Sequence, residues 1–153
     1  MKHFQLLSIL SLIIFAACSS KKSSATSAGT GSNRKPQLSQ DGSFFMMSQV
    51  SDDTTYGYSK DNPVKVGYNG SAKGPENERK YLDGLTGPNG EEVSYNRLGS
   101  CCFFEAKELA MGGGMLDRYS VRWKGIDEPK VIYINMYQYE DVKAPKGFSV
   151  RKN

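Results

Sequence analysis

The stretch "MLDRYSVRWKGIDEPKVIYINMYQY", Met115 to Tyr139, decides the fold. Its first part alternates: Met115, Tyr119, Val121 and Trp123 fall on one side, and Arg118, Ser120, Arg122 and Lys124 on the other. That period of two marks a strand with one buried face. Asp117 interrupts the apolar side near its start. "GIDEP" is turn chemistry. The second part is apolar on both sides, with Val131, Tyr133, Tyr137 and Tyr139 against Ile132, Ile134 and Met136. A strand covered on two faces is usually central. Val131–Tyr139 is therefore predicted as a central strand, with Met115–Lys124 as its antiparallel neighbour.

Working outward, "GGG" at Gly112–Gly114 permits a sharp reversal before this unit. Upstream, "EEVSYNRLG" alternates Val93, Tyr95 and Arg97 against Ser94, Asn96 and Leu98 and reads as a further strand. "GPENERKYLDGL", Gly74–Leu85, reads as a helix of about three turns. Pro75 suits the first helical position, Glu76 and Glu78 suit the positive end, and Tyr81, Leu82 and Leu85 form one stripe. "TGPNG" ends it. "VKVGY", Val64–Tyr68, and "SFFMMSQV", Ser43–Val50, read as two more strands, separated by the turn-rich "SDDTTYGYSKDNP". The expectation is an α+β domain: an antiparallel sheet of about five strands with one helix packed on a face, over residues 44–153.

The N-terminus has its own logic. "MKHFQLLSILSLIIFAACSS" has a basic start and an apolar run from Phe4 to Phe15. The run is too short to span a bilayer, which needs about 20 residues, and it ends in small residues, the pattern of an export signal. "FAAC", Phe15–Cys18, resembles the bacterial lipobox, with Phe15 where Leu is usual. Residues 1–17 are thus predicted as a lipoprotein signal peptide and Cys18 as the lipidated, palmitate-bearing N-terminus. Residues 18–43 read as a flexible tether of Ser, Thr, Gly and Lys that buries too little to offset its ordering entropy, with a reach of roughly 25–30 Å. Ser19 after the cysteine, and lysines rather than acids in "SSKKSS", point to the outer membrane, facing the periplasm. The net charge of +4, or +3 without Lys2, is too mild for nucleic-acid binding.

The segments "YGYSKDNPVKVG", "GPENERKYLDGLTGPNGEEVSY", "RLGSCC", "GGGMLDRYSVRW" and "YINMYQYEDVKAPKGF" together resemble a family of small exported proteins and lipoproteins of Bacteroidota, whose function is unestablished. Some of its members carry the label 2-dehydro-3-deoxyphosphooctonate aldolase. That enzyme is a TIM barrel, a fold of about 250 residues. This chain has 153 residues and no phosphate-cradling motif, so no residue roles follow from the label.

The only histidine, His3, lies in the signal. Its loss excludes Ser–His and Cys–His nucleophile pairs and His-containing zinc sites from the exported domain. "GSCCFF" then stands out, because Cys101 and Cys102 are the only thiols besides Cys18. Four readings are open: buried free thiols acting as small apolar groups, a vicinal disulfide stiffening a ligand-facing turn, a redox pair lacking the usual Cys-x-x-Cys spacing, and a soft-metal site short of ligands. Phe103 and Phe104 favour a core or pocket wall, so Cys101 and Cys102 are assigned to structure or pocket. A basic stripe of Arg118, Arg122 and Lys124, joined by Arg97, and loop tyrosines Tyr56, Tyr58 and Tyr68 are the candidate binding surface. The functional expectation is a non-catalytic cell-envelope lipoprotein, membrane-bound through its lipid and binding an envelope protein or a glycan. The alternative is an enzyme using the Cys101–Cys102 pair or loop carboxylates such as Asp52, Asp53, Asp61, Glu91 and Glu92. No cofactor, metal, catalytic residue or nucleic-acid partner is assigned.

Metabolic labelling with a fatty-acid analogue should mark the wild-type chain and not Cys18→Ala. Label and membrane retention persisting in that variant would refute the lipobox reading.

Overall fold

In the computed structural model, the structure describes residues 35–67 and 73–152. The elements run β1 (Val64–Lys65), α1 (Gly74–Asp83), β2 (Leu85–Thr86), β3 (Val93–Glu105), β4 (Gly113–Trp123), β5 (Lys130–Asn135) and β6 (Ser149–Val150). The main sheet has the order β1-β5-β4-β3, and β2 pairs with β6 in a separate two-stranded sheet. The fold is α+β, with one helix on a sheet, as the sequence pattern predicts. Cys18 and Tyr68 lie outside the described residues, as do residues 1–17, predicted as a signal peptide.

β4 and β5 are the two interior strands, paired antiparallel from Asp117↔Ile134 to Val121↔Lys130. β5 ends at Asn135, earlier than its apolar pattern runs. The Asn135 side-chain oxygen accepts from the backbone N–H of Tyr137 and Gln138 at 2.8 and 3.2 Å and turns the chain there. The sheet is mixed, because β1 joins β5 in parallel through Val64↔Ile134. The helix lies between β1 and β5 in sequence, a connection long enough for the parallel pairing that a short hairpin forbids.

Ser43–Val50 is not a strand. Phe44 and Phe45 are both buried, but the segment joins neither sheet and makes only isolated bridges at Phe45 and Val50. The backbone N–H of Phe45 is held by the Lys80 carbonyl at the helix end, and that of Met46 by Gln37. Packing also begins before Phe44: Leu38 pairs with Phe45, and Ser39 is buried. β3 is longer than its sequence pattern suggests and carries the cysteine pair within it.

One face of the sheet holds the core. Tyr119, Val121, Ile132, Ile134 and Val64 meet Tyr81 and Leu82 of α1, with Phe45, Met47, Tyr56, Val142, Ala144 and Phe148 closing the edges. The Asn77 side-chain amide donates to the carbonyls of Val66 and Gly67 at 3.3 and 3.0 Å, pinning the helix to the end of β1. Gly67 has φ +77°, and a side chain there would collide with the Tyr139 ring. Glu140 Oε1 accepts from the Tyr56 hydroxyl at 2.7 Å and the Lys65 N–H at 2.9 Å, tying the 56 loop and β1 to the segment after β5. Burial pushes the Glu140 carboxyl above its ordinary value, and those two donors partly offset this.

Ile134 is fully buried at the junction of β1, β5 and β4. Ile134→Ala should cost about 2–5 kcal/mol in a urea melt. A loss under about half a kcal/mol would mean that this position does not hold the core together.

Candidate functional site

Three features carry chemistry: a bulged disulfide, a buried acid cluster, and an open sheet face. All three depend on how β3 pairs with β4. The register runs Val93↔Trp123 to Arg97↔Tyr119, slips to Gly99↔Arg118, continues to Cys101↔Leu116, and slips again to Phe103↔Met115. Leu98 and Cys102 are therefore bulge residues, unpaired extras that bend the strand and re-aim their neighbours.

At the second bulge, Cys101 and Cys102 form a disulfide across one peptide bond, with Cα atoms 3.8 Å apart. Cys102 has φ +54°, the one left-handed non-glycine residue among those described. Both cysteines are half-buried, and Phe103 is 61% exposed. Of the four readings open from the sequence, the structure has the vicinal disulfide and not buried free thiols. β3 outruns β5 at this end, so no third strand covers the aromatic pair. Phe104 and Tyr137 pack at a ring separation of 5.8 Å. Cys102, Phe103, Phe104 and Glu105 form one wall of a cleft of about 360 Å³, opposite Lys60, Asp61 and Lys65. A larger groove of about 810 Å³ runs between β2, β6 and the turn at Pro88–Gly90 and touches none of these groups.

At the first bulge, Arg97 and Ser100 come to the same face of β3, toward Asp117. Asp117 is 1% exposed. Arg97 holds it in two hydrogen bonds, Nε to Oδ2 at 2.7 Å and Nη2 to Oδ1 at 2.8 Å. The Ser100 hydroxyl donates to Oδ1 at 2.6 Å. Burial opposes ionisation of Asp117, but the Arg97 and Ser100 bonds outweigh it and hold its carboxyl below the ordinary value. Glu78 of α1 reaches the same cluster and is 0% exposed. Its Oε2 accepts from the Tyr119 hydroxyl at 2.8 Å. Oε1 is buried and makes no well-formed hydrogen bond, to Asp117 or to any other described group. Desolvation, reinforced by the Asp117 charge, pushes the Glu78 carboxyl up to about 8. At neutral pH the cluster thus holds one protonated and one ionised carboxyl under one arginine.

The opposite face of the sheet presents Ser94, Asn96, Gly99 and Cys101 from β3, Leu116, Arg118, Ser120 and Arg122 from β4, and Val131, Tyr133 and Asn135 from β5. None of these is acidic. Leu98 at 49% and Val131 at 37% are exposed large apolar residues on or beside this face. The end near Gly114 is roofed by the Tyr137 ring, with which a side chain at position 114 would collide, and Leu116 and Asn135 on this face are buried. Arg118 Nε is buried and has no partner among the described residues.

The predicted binding residues thus separate. Arg118 and Arg122 share the open face, and Lys124 follows in the turn after β4. Arg97 does not join them, because it pairs with Tyr119 on the core side and is consumed by Asp117. Tyr56 is a core residue bonded to Glu140, not a surface tyrosine. Tyr58 is half-buried and donates to the Lys146 carbonyl at 2.7 Å. Among the loop acids, Asp53 accepts from the Thr55 N–H and hydroxyl and from Asn62, and Glu91 accepts from Asn89, so both fix turns. Alternation missed that Glu78 and Asp117 share one buried cluster. The sequence signal was Asp117 breaking an apolar face, which demanded a partner.

Comparison with protein families, curated proteins and solved structures finds no match to this chain.

The Glu78 carboxyl titrates near 8 in the fold and near 4.5 when unfolded, so the folded state binds the extra proton between those values. Its contribution to stability therefore falls as pH rises from about 4.5 through about 8. The full difference is roughly 5 kcal/mol at 1.36 kcal/mol per unit. Glu78→Gln removes this slope. Urea melts of the variant from pH 5 to 9 should be flatter than those of the wild type, with the largest gain at pH 9. Parallel profiles would show that Glu78 is ionised in the fold.

Proposed function

We propose that the chain is a non-catalytic, lipid-anchored protein of the cell envelope, whose domain binds an envelope protein or glycan of acidic character through the open face of its sheet. The observation that carries this reading is the set of residues on that face. Two arginines on one strand, Arg118 and Arg122, stand among Ser94, Asn96, Ser120 and Tyr133, with no carboxylate at any facing position. A surface with no binding role usually intersperses both signs of charge. An uncompensated pair of guanidinium groups favours acidic partners and suits bidentate contact with carboxylates. Tyr133, Val131 and Leu98 add apolar area that desolvates such a contact.

The groups that an enzyme would draw upon are engaged elsewhere. Asp117 is sealed under Arg97 and Ser100, Glu78 has no exposure, Asp53 and Glu91 close turns, and Asp61 pairs with Lys60. The leader and "FAAC" supply the membrane address, and the outer membrane's periplasmic face is where Ser19 and the lysines after it direct the domain.

Arg118→Glu with Arg122→Glu reverses the face without touching the core side. Lipidated wild-type protein drawn from its native envelope should retain an acidic component that the reversed variant loses by about tenfold or more, a factor worth 1.4 kcal/mol. Equal capture by both, with unchanged melting, would rule this face out as the binding surface.

A further inference from the structure

The Cys101–Cys102 disulfide does something that neither the sheet face nor the acid cluster accounts for. It joins neighbours in sequence, so it closes almost no chain and constrains the unfolded state very little. Stability alone does not explain it. It also coincides with a residue at φ +54°, a conformation unfavourable for any side chain with a Cβ. Such outliers concentrate at ligand clamps and switches. The bond sits in a bulge, at the end of the sheet where β3 and β4 outrun β5: the last β4–β5 pair is Asp117↔Ile134, and residues 101–105 and 113–116 lie beyond it. Rearrangement there leaves the core register intact. Cys102 opens onto the cleft of about 360 Å³, and the facing wall carries Lys60 and Lys65. Lys60 is paired with Asp61 at 2.9 Å, whereas Lys65 makes no ion pair within 4 Å among the described residues, although the charges of Glu108 and Glu140 act on it. A cation lining the same cleft as a disulfide favours the approach of a thiolate and the thiolate that departs.

We infer that Cys101–Cys102 is a reversible thiol–disulfide exchange site, reached through this cleft by a dithiol reductant, and that its redox state sets the shape of the cleft wall. A thiolate of the dithiol attacks the Cys102 sulfur. The Cys101–Cys102 bond breaks, a mixed disulfide forms, and Cys101 leaves as a thiolate that takes up a proton. The second thiol of the dithiol then displaces the Cys102 sulfur. The dithiol ends as a disulfide, and two electrons and two protons pass to Cys101 and Cys102. Freed from the ring, Cys102 leaves the left-handed region, and the wall formed by Cys102, Phe104 and Glu105 shifts. Ser100, bonded to Asp117, marks the inner limit of the change. The site adjoins one end of the sheet face, which Cys101 shares, and carries no turnover of its own.

The test uses the exported chain purified without reductant. It is equilibrated with mixtures of reduced and oxidised dithiothreitol, then alkylated and read by mass spectrometry, with hydrogen exchange measured in parallel. Both cysteines should become alkylatable while the fold persists, and oxidised dithiothreitol should reverse this. Exchange should rise several-fold at residues 101–105 and 113–116 and stay unchanged at β5. Lys65→Gln should slow reduction at low salt, and the difference should shrink as salt screens it. Cys101→Ser with Cys102→Ser should show the raised exchange without reductant. If that variant fails to fold, the wild-type titration decides alone. A disulfide that stays closed until global unfolding would overturn the inference. So would thiols that oxidised dithiothreitol cannot close, or reduction with no change in exchange at 101–105.

Discussion

A carboxylate on an interior strand has to be neutralised where it stands, and the architecture around β3 follows from doing this for Asp117. Leaving it ionised and unpaired in the core would cost several kcal/mol. Arg97 supplies two hydrogen bonds and Ser100 a third. Those two residues are three apart on one strand, so regular pleating would put them on opposite faces. The bulge at Leu98 removes the conflict by adding one residue between them. With Asp117 held ionised, the neighbouring Glu78 cannot also ionise cheaply, and it stays protonated against Tyr119. The helix seat on the sheet is thus a polar contact embedded in an apolar one, with Tyr81 and Leu82 beside Glu78.

The consequence is a division of labour between the two faces. The core side uses up the arginine nearest its edge and both interior acids. What remains for the open side is basic and amide or hydroxyl in character: Arg118, Arg122, Ser94, Asn96 and Ser120. The domain is largely one-sided because the helix and most connections among the described residues pack on the face that holds Tyr119, Ile132 and Ile134, with Tyr137 reaching the other face only at Gly114. Charge asymmetry across the sheet is therefore a by-product of solving the Asp117 problem on one side only.

Much of this was legible in the sequence. The one-sided alternation of Met115–Lys124 and the two-sided apolar pattern after Pro129 identified the two interior strands and their order. Pro75, the Tyr81–Leu82 stripe and "TGPNG" bounded the helix to within a few residues; it ends at Asp83, two residues short of Leu85, with Gly84 as its cap against the Phe45 carbonyl, where a larger residue would clash. What was not legible was non-local. The Phe44–Phe45 pair looked like a strand because apolar content cannot distinguish an extended edge from a segment pinned to a helix end. The parallel pairing of β1 depended on the path of α1. Tyr56 looked like a surface tyrosine because nothing near it in sequence names Glu140 as its partner. Charge alone groups Arg97 with a basic stripe, although its alternation with Val93 and Tyr95 already puts it on the core side, where Asp117 takes it up.

The two bulges are best understood as a pair. Each shifts the face of every later residue, so one bulge would have inverted the whole tip of β3. Two of them cancel: Phe103 still faces with Met115 and Phe104 with Gly114, as in a strand with no bulge at all. The residues re-aimed are the three between them, Gly99, Ser100 and Cys101. Ser100 turns inward to Asp117, and Cys101 turns outward beside Leu116. Without the insertions, Cys101 would face the acid cluster and Ser100 the open surface. The same device that completes the Asp117 site therefore carries the disulfide away from it and onto the rim of a cleft. This is why simple alternation assigns the strand correctly on both sides of "GSC" and fails within it.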